Sequence, residues 1–174
     1  MKYQIKKLKV NDFGVYEEGK LSERSYFIPY KSEKLLSKQN TLTKRYNSDL
    51  VTVLSGDDWS FKYYEKLTRL PSNIETDTLS FDTVKIPSTW QRTGYEPPVY
   101  LNTRYEFKPT YPNVPDEMSA GVYAKKFSVK ETTNTCFITF LGVCSSLTLY
   151  VNGKYVGYSE CSHNRAEFDI SDKV

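Results

Sequence analysis

The chain has 174 residues, of which 26% are charged and 39% are hydrophobic. This length suffices for one domain with a buried core, and the balance excludes both a disordered chain and a membrane protein. The net charge of +3 is concentrated near the N-terminus, at Lys2, Lys6, Lys7 and Lys9. That placement indicates a solvated, flexible terminus, not the clustered basic surface of a nucleic-acid-binding protein.

Residues 1–47 are polar and irregular, and we predict that they form an N-terminal arm lying across a larger unit. The arm has one helix signal, SEKLLSKQ at residues 32–39. Ser32 can cap the first turn of this helix, and Leu35 and Leu36 can face inward.

Residues 58–64, DWSFKYY, are the first part of the chain with the pattern of a strand. Trp59, Phe61 and Tyr63 alternate with their neighbours, which is typical of a strand with one buried face. The preceding SGDD predicts a turn.

The C-terminal third has the clearest strand pattern. Two strands are predicted at 121–129, GVYAKKFSV, and 135–143, TCFITFLGV, the second buried on both faces. Asn152-Gly153 predicts a tight hairpin, because both residues tolerate a positive φ. Further short strands are predicted in FDTVKIP and AEFDIS. This pattern predicts an all-β protein, an antiparallel sandwich of Greek-key or jelly-roll type over residues 48–174.

Three cysteines, Cys136, Cys144 and Cys161, leave at least one thiol unpaired, and no N-x-[ST] sequence or apolar leader is present. These features predict a cytoplasmic protein without a secretory signal. The longest apolar run, FITFLGV, is too short to span a membrane. With one histidine, His163, and no C-x-x-C pair, we expect no zinc site in this chain.

The loop IPSTWQRTGYEPPVYLNTRY, residues 86–105, combines aromatic and polar side chains. Aromatic rings can cover the C–H faces of a sugar while amides and guanidinium groups bond its hydroxyls. The candidates for such a platform are Trp90, Gln91, Tyr95, Tyr100, Asn102 and Arg104. The alternative is that the aromatics plug one end of the sandwich, and composition alone favours it because buried Trp and Tyr usually serve packing.

The same loop resembles a known family, the N-terminal sugar-binding jelly-roll domain of the β-galactosidases of glycoside hydrolase family 2. Their V/I-P-S-x-W-Q-x-x-G-Y-x-x-P-x-Y-x-N run is matched from Ile86 to Asn102. GVYAKKFSV is similar to the family's G-x-Y-x-x-x-F segment, and residues 140–171 to its F-x-G-V-x-S…N-G-x-x-V-G-Y-S…E-F-D-[IL]-[ST] stretch. The resemblance covers about residues 50–174.

The resemblance implies an all-β, galactose-binding-like jelly roll that carries no catalytic residue. In the family, two glutamates of a (β/α)8 barrel further along the chain hydrolyse terminal β-galactosides with retention. We therefore expect a β-galactosidase domain that is inactive alone, works with the remaining domains of the parent, and stops before the family's last strand. An unfilled strand position would expose a sheet edge and favour a homo-oligomer.

The resemblance also implies substrate-binding residues. Asn102 corresponds to the asparagine that lines the galactose pocket, with Trp90 and Tyr100 beside it in the motif. The family's substrate- and sodium-binding aspartate falls on Cys161, flanked by Glu160, and its following arginine falls on His163. The family uses Mg and Na, but a thiol is a poor sodium ligand, so we expect no metal ion in this chain.

Two other functions remain open on the sequence. A free-standing carbohydrate-binding module would use Trp90, Tyr100 and Asn102 alone. A small β-fold binding single-stranded nucleic acid would use the aromatics interleaved with lysines in WSFKYYEK, but the basic residues do not cluster as that function requires. We therefore expect carbohydrate as the ligand, and neither nucleic acid nor membrane as a partner.

Overall fold

The computed structural model of the chain describes residues 1–5, 9–39, 42–100, 102, 107–108, 110–129 and 135–174. Within these residues the protein is all-β, which confirms the predicted fold class. Its strands are β1 (Lys2–Gln4), β2 (Glu17–Glu18), β3 (Gly56–Tyr64), β4 (Asn73–Glu75), β5 (Asp82–Ile86), β6 (Ala120–Ala124), β7 (Phe137–Phe140), β8 (Ser146–Val151), β9 (Lys154–Glu160) and β10 (Ala166–Asp169). The helical elements are α1 (Glu33–Gln39) and two 3₁₀ turns, Leu67–Arg69 and Trp90–Thr93. No helix of the described residues is long and apolar enough to cross a membrane.

The strand β3 is the centre of an antiparallel sheet in the order β5-β3-β6. Phe61 is completely buried, as the sequence predicts. Trp59 and Tyr63, predicted on the same buried face, are only half-buried, like the residues that alternate with them. The predicted turn in SGDD is wrong, because β3 already begins at Gly56 and an irregularity between Gly56 and Trp59 accommodates the two aspartates within the strand. The strand predicted over residues 121–129 is shorter in the structure, since β6 ends at Ala124.

The remaining long strands form a second group around β9. Asn152 (φ 48°) and Gly153 (φ 80°) make the hairpin between β8 and β9, which confirms the predicted turn. The other edge of β9 pairs with β2, and Lys20 then bridges to Phe168 of β10. The N-terminal segment therefore lies as a strand between β9 and β10.

The main hydrophobic core lies in this second group. β7 pairs with β10, and only one of its faces, that of Ile138 and Phe140, packs against this core. Phe137 is 46% exposed and Leu141 58% exposed. The prediction that FITFLGV is buried on both faces is therefore wrong. The fully or nearly buried core residues are Leu149, Val151, Ala166, Phe168 and Ile170.

The N-terminal arm carries the predicted helix and pairs with the sheets at two places, β1 with β4 and β2 with β9. The Leu35 N–H of α1 lies 3.4 Å from Ser32 Oγ, which is the predicted cap. Leu35 and Leu36 are exposed, so the prediction that they face inward is wrong: they are not covered by another element of the described chain.

An open cleft of about 1900 Å³ separates the two groups of strands. Its apolar walls include Trp59 and Val122 from the β5-β3-β6 sheet, and Ile138, Leu147 and Leu149 from the second group. One end of the cleft is bordered by the loop that begins at Ile86, where the candidate site lies.

Candidate functional site

The loop from Ile86 to Asn102 leaves the sheet at the end of β5 and folds back over it. A 3₁₀ turn, Trp90–Thr93, follows, and Gly94 ends it with a φ of 91°. Such a left-handed backbone is what glycine adopts at little cost. The Tyr95 N–H then bonds to the Trp90 carbonyl at 3.1 Å, so the loop has a fixed shape.

Two aromatic side chains of the loop pack onto the inner face of the β5-β3-β6 sheet. The Tyr95 ring lies 4.8 Å from the Phe61 ring and 5.6 Å from the Tyr63 ring, measured between centroids, and the Trp90 ring lies 5.9 Å from that of Tyr63. A Cβ at Gly121 would come within 2.9 Å of both Phe61 and Trp90. Trp90 and Tyr95 thus attach the loop to the sheet, which confirms the packing interpretation for these two rings.

The carboxylate of Glu96 holds the loop from inside. Its Oε1 accepts hydrogen bonds from the hydroxyls of Tyr63 and Ser119, both at 2.6 Å. Its Oε2 accepts from Trp90 Nε1 at 2.6 Å and from Gln91 Nε2 at 2.7 Å. Burial raises the pKa of Glu96, but the four hydrogen bonds together outweigh burial and lower it.

Sequence reasoning missed Glu96. The only available signal was one acidic residue, between Tyr95 and two prolines, in a loop otherwise rich in hydrogen-bond donors. Trp90 and Gln91 are near it in the chain, but its other two donors, Tyr63 and Ser119, are distant in sequence. The ionised carboxylate also affects its donors, because burial and the bond to Glu96 raise the pKa of Tyr63 to about 12.

Beyond Glu96 the loop presents its last candidates to solvent. Tyr100 is 73% exposed, and Asn102 is also exposed. Arg104, the remaining candidate of this loop, lies outside the described residues. Tyr100 and Asn102, at the end of the matched motif, therefore face outward.

The second candidate loop follows β9. Its last strand residue, Glu160, donates its N–H to the Tyr16 carbonyl at 2.9 Å, and its carboxylate accepts the Tyr158 hydroxyl. Cys161 is exposed and has a φ of 84°, an uncommon backbone for a non-glycine residue. His163 is exposed in the turn that follows.

Four of the predicted residues line the cleft, namely Trp90, Gln91, Glu160 and Cys161, as does Glu96, which was not predicted. Tyr100, Asn102 and His163, although described, do not.

The residues of this second candidate loop do not fit the sodium ion that the resemblance implies. Cys161 offers sulfur where a hard cation needs oxygen, and the nearby carboxylate of Glu160 is bonded to Tyr158. Among the described residues, no group of three or more His, Cys, Asp or Glu side chains is placed to hold a metal ion.

Comparison with known proteins identifies the protein family of this chain. The family described as glycosyl hydrolases family 2, sugar binding domain, matches residues 51–174. The chain therefore belongs to this family of sugar-binding domains, as the sequence motifs predict.

Its relatives include named enzymes. The chain is 36% identical over 153 residues to a β-galactosidase of Actinobacillus pleuropneumoniae, a match that covers 87% of this chain and 14% of the relative. It is 33% identical over 156 residues to a β-galactosidase of Staphylococcus xylosus, covering 88% and 15%. A β-galactosidase of Psychromonas ingrahamii is 37% identical over 142 residues, covering 78% and 13%. The chain thus spans about one seventh of the length of these relatives.

Proposed function

We propose that the chain is the N-terminal sugar-binding domain of a β-galactosidase and contributes Asn102 to the rim of the galactose pocket. Hydrolysis of the terminal β-galactoside belongs to a catalytic barrel elsewhere in the complete enzyme. The domain alone binds the sugar too weakly to detect, because one asparagine beside an exposed ring supplies too few convergent polar groups.

The observation that carries this proposal is the loop from Ile86 to Asn102. Its inner half is attached to the sheet by Trp90 and Tyr95 and hydrogen-bonded to Glu96. Its outer half, with Tyr100 and Asn102, is exposed. A rigid base with an exposed polar end is the geometry that a binding residue needs in order to be held in place.

The experiment is to express the complete reading frame that contains these residues and to assay it with nitrophenyl β-galactoside, β-glucuronide and β-mannoside. We expect activity on the galactoside, and we expect Asn102→Ala to raise KM for it. Asn113→Ala, in another exposed loop, is the matched control and leaves KM unchanged. A reading frame that ends without a catalytic barrel would contradict the proposal.

Calorimetry on the 174-residue chain separates this function from a free-standing module. We expect no heat on titration with galactose or lactose. Measurable binding that Asn102→Ala abolishes would favour a module that binds carbohydrate alone.

We also propose that this domain holds no metal ion and that the protein is cytoplasmic. The first is supported by the thiol of Cys161 at the sodium-ligand position. The second is supported by the free thiols Cys136, Cys144 and Cys161. Elemental analysis of the purified chain tests the first proposal, and a bound metal ion would contradict it. Fractionation of cells producing the complete protein tests the second, and an exported product would contradict it.

A further inference from the structure

Two of the free cysteines lie at the ends of neighbouring paired strands. β8 begins at Ser146 and β9 ends at Glu160, and these two residues are direct partners in the antiparallel ladder. Cys144 precedes Ser146 by two residues, and Cys161 follows Glu160 by one. Because partners in such a ladder have Cα atoms about 4.5–5.5 Å apart, the two cysteines leave the ladder from adjacent points.

The stretch before β8 and the stretch after β9 stay close together beyond the ladder. A Cβ placed on Gly142 would lie 3.1 Å from the carbonyl oxygen of Ser162. Cys144 and Cys161 therefore lie between two contacts of the same two stretches of chain. One contact is the Ser146–Glu160 pair, and the other is the close approach of Gly142 to Ser162. Both also line the cleft, together with Ser145 and Ser162.

The three cysteines differ in accessibility. Cys144 and Cys161 are exposed, whereas Cys136 is half-buried and packs against the core. Burial and the nearby Asp169 carboxylate raise the pKa of the Cys136 thiol. Because the thiolate is the reactive form, Cys136 is an internal reference of low reactivity.

We propose that Cys144 and Cys161 are a thiol pair that closes to an intramolecular disulfide in the presence of a low-molecular-weight disulfide. The thiolate of one cysteine attacks the oxidant, forms a mixed disulfide and releases one thiol. The thiolate of the second cysteine attacks the protein sulfur of that mixed disulfide and releases the other thiol. The protein loses two hydrogens, and the oxidant is reduced to two thiols.

The disulfide would join the loop before β8 to the loop after β9 at one end of the cleft. It would fix Cys161 and its neighbour Glu160 relative to the β8 edge. This role does not depend on the proposed sugar site.

The test is to incubate the reduced chain with oxidised glutathione, block the remaining thiols with an alkylating reagent, and map the peptides by mass spectrometry. We expect one cross-linked peptide pair, containing Cys144 and Cys161, and an alkylated Cys136. The faster formation of this pair at higher pH would follow from the thiolate mechanism.

The controls are single substitutions. Cys144→Ser and Cys161→Ser should each abolish the cross-link and leave a mixed disulfide with glutathione, whereas Cys136→Ser should leave the cross-link unchanged. Mixed disulfides alone in the unsubstituted chain, a pair that includes Cys136, or only disulfides between two molecules would each overturn the proposal.

Discussion

At the scale of single residues, the carboxylate of Glu96 organises the loop that carries the candidate binding residue. It accepts hydrogen bonds from two side chains of the loop, Trp90 and Gln91, from Tyr63 of β3 and from Ser119, the residue before β6. Bonds to a charged acceptor are stronger than those between neutral groups. The loop is thus held by one ion whose donors converge from three parts of the chain.

We expect Glu96→Gln to destabilise the fold. The amide oxygen can still accept from Trp90 and Gln91, but the Tyr63 and Ser119 hydroxyls must turn to accept from its NH₂ group. All four bonds lose the charged acceptor, at a cost of about 1–3 kcal/mol. Urea unfolding at neutral pH measures this loss. Glu117→Gln, which removes an exposed carboxylate, is the control and should leave the midpoint unchanged.

The effect of Glu96 on stability should depend on pH. The folded chain holds the pKa of Glu96 below its ordinary value of 4.5, so its contribution is present above that value and disappears as the pH falls through the lower, folded pKa. The difference in stability between the unsubstituted chain and Glu96→Gln should therefore shrink on acidification below pH 4.5. Unfolding curves at several pH values check this, and a gap that stays constant would contradict it.

At the scale of elements, the N-terminal segment is an integral strand. It pairs with β9 through β2 and with β10 through Lys20, and the Leu21 N–H donates to the Glu167 carbonyl at 2.8 Å. The Arg24 guanidinium binds the buried Glu167 carboxylate at 2.7 Å, which holds the segment further along. Although the sequence of this region has no strand pattern, the segment forms a strand between β9 and β10.

Two glycines allow this strand to approach β9 closely. A Cβ on Gly157 would lie 2.3 Å from the Glu18 carbonyl oxygen and 2.7 Å from the Phe168 ring, and one on Gly19 would lie 2.5 Å from the Val156 carbonyl oxygen. We expect Gly19→Ala and Gly157→Ala each to cost about 1–3 kcal/mol, since the backbone must move apart. At Gly19 the left-handed φ of 68° adds to this cost. Faster hydrogen exchange at the Leu21 amide and a lower urea midpoint would show it.

The control for these substitutions lies in the same segment. A Cβ on Gly14 would meet only Asp12 Oδ1, at 3.9 Å. Gly14→Ala should therefore change the stability by less than about 0.5 kcal/mol. If all three variants lost the same stability, close approach to β9 would not explain the effect of the Gly19 and Gly157 substitutions.

The elements that were predictable from sequence are those whose signal is local. The Asn152-Gly153 turn, the strand around Phe61 and the Ser32 cap depend only on neighbouring residues, and the structure confirms all three. The strand at β2 and the anchoring role of Glu96 depend on partners distant in sequence, and periodicity contains no information about such partners. The outward positions of Leu35 and Phe137 were missed for the same reason, because burial depends on what covers a face.

At the scale of the whole molecule, the cleft shows that the sandwich is not closed along its whole length. An empty, sealed cavity costs about 24 cal/mol per Å³, so a sealed void of about 1900 Å³ would exceed the usual stability of a domain, about 5–15 kcal/mol. The cleft must therefore be open to water or covered by another polypeptide. Among the described strands, β6 and β7 each pair on one side only, so backbone groups beside the cleft are available for pairing.

We therefore propose that the isolated chain self-associates through this face, and that a charge placed in the cleft prevents it. Phe127 lines the cleft and is 37% exposed, so Phe127→Lys removes apolar contact and adds a charge that would be costly to bury. Sedimentation velocity over a range of concentrations should show a dimer for the unsubstituted chain and a monomer for Phe127→Lys. Phe13→Lys, at an exposed phenylalanine that does not line the cleft, should still dimerise. A clean monomer of the unsubstituted chain at high concentration would refute association through the cleft, and a monomer for both variants would place the contact elsewhere.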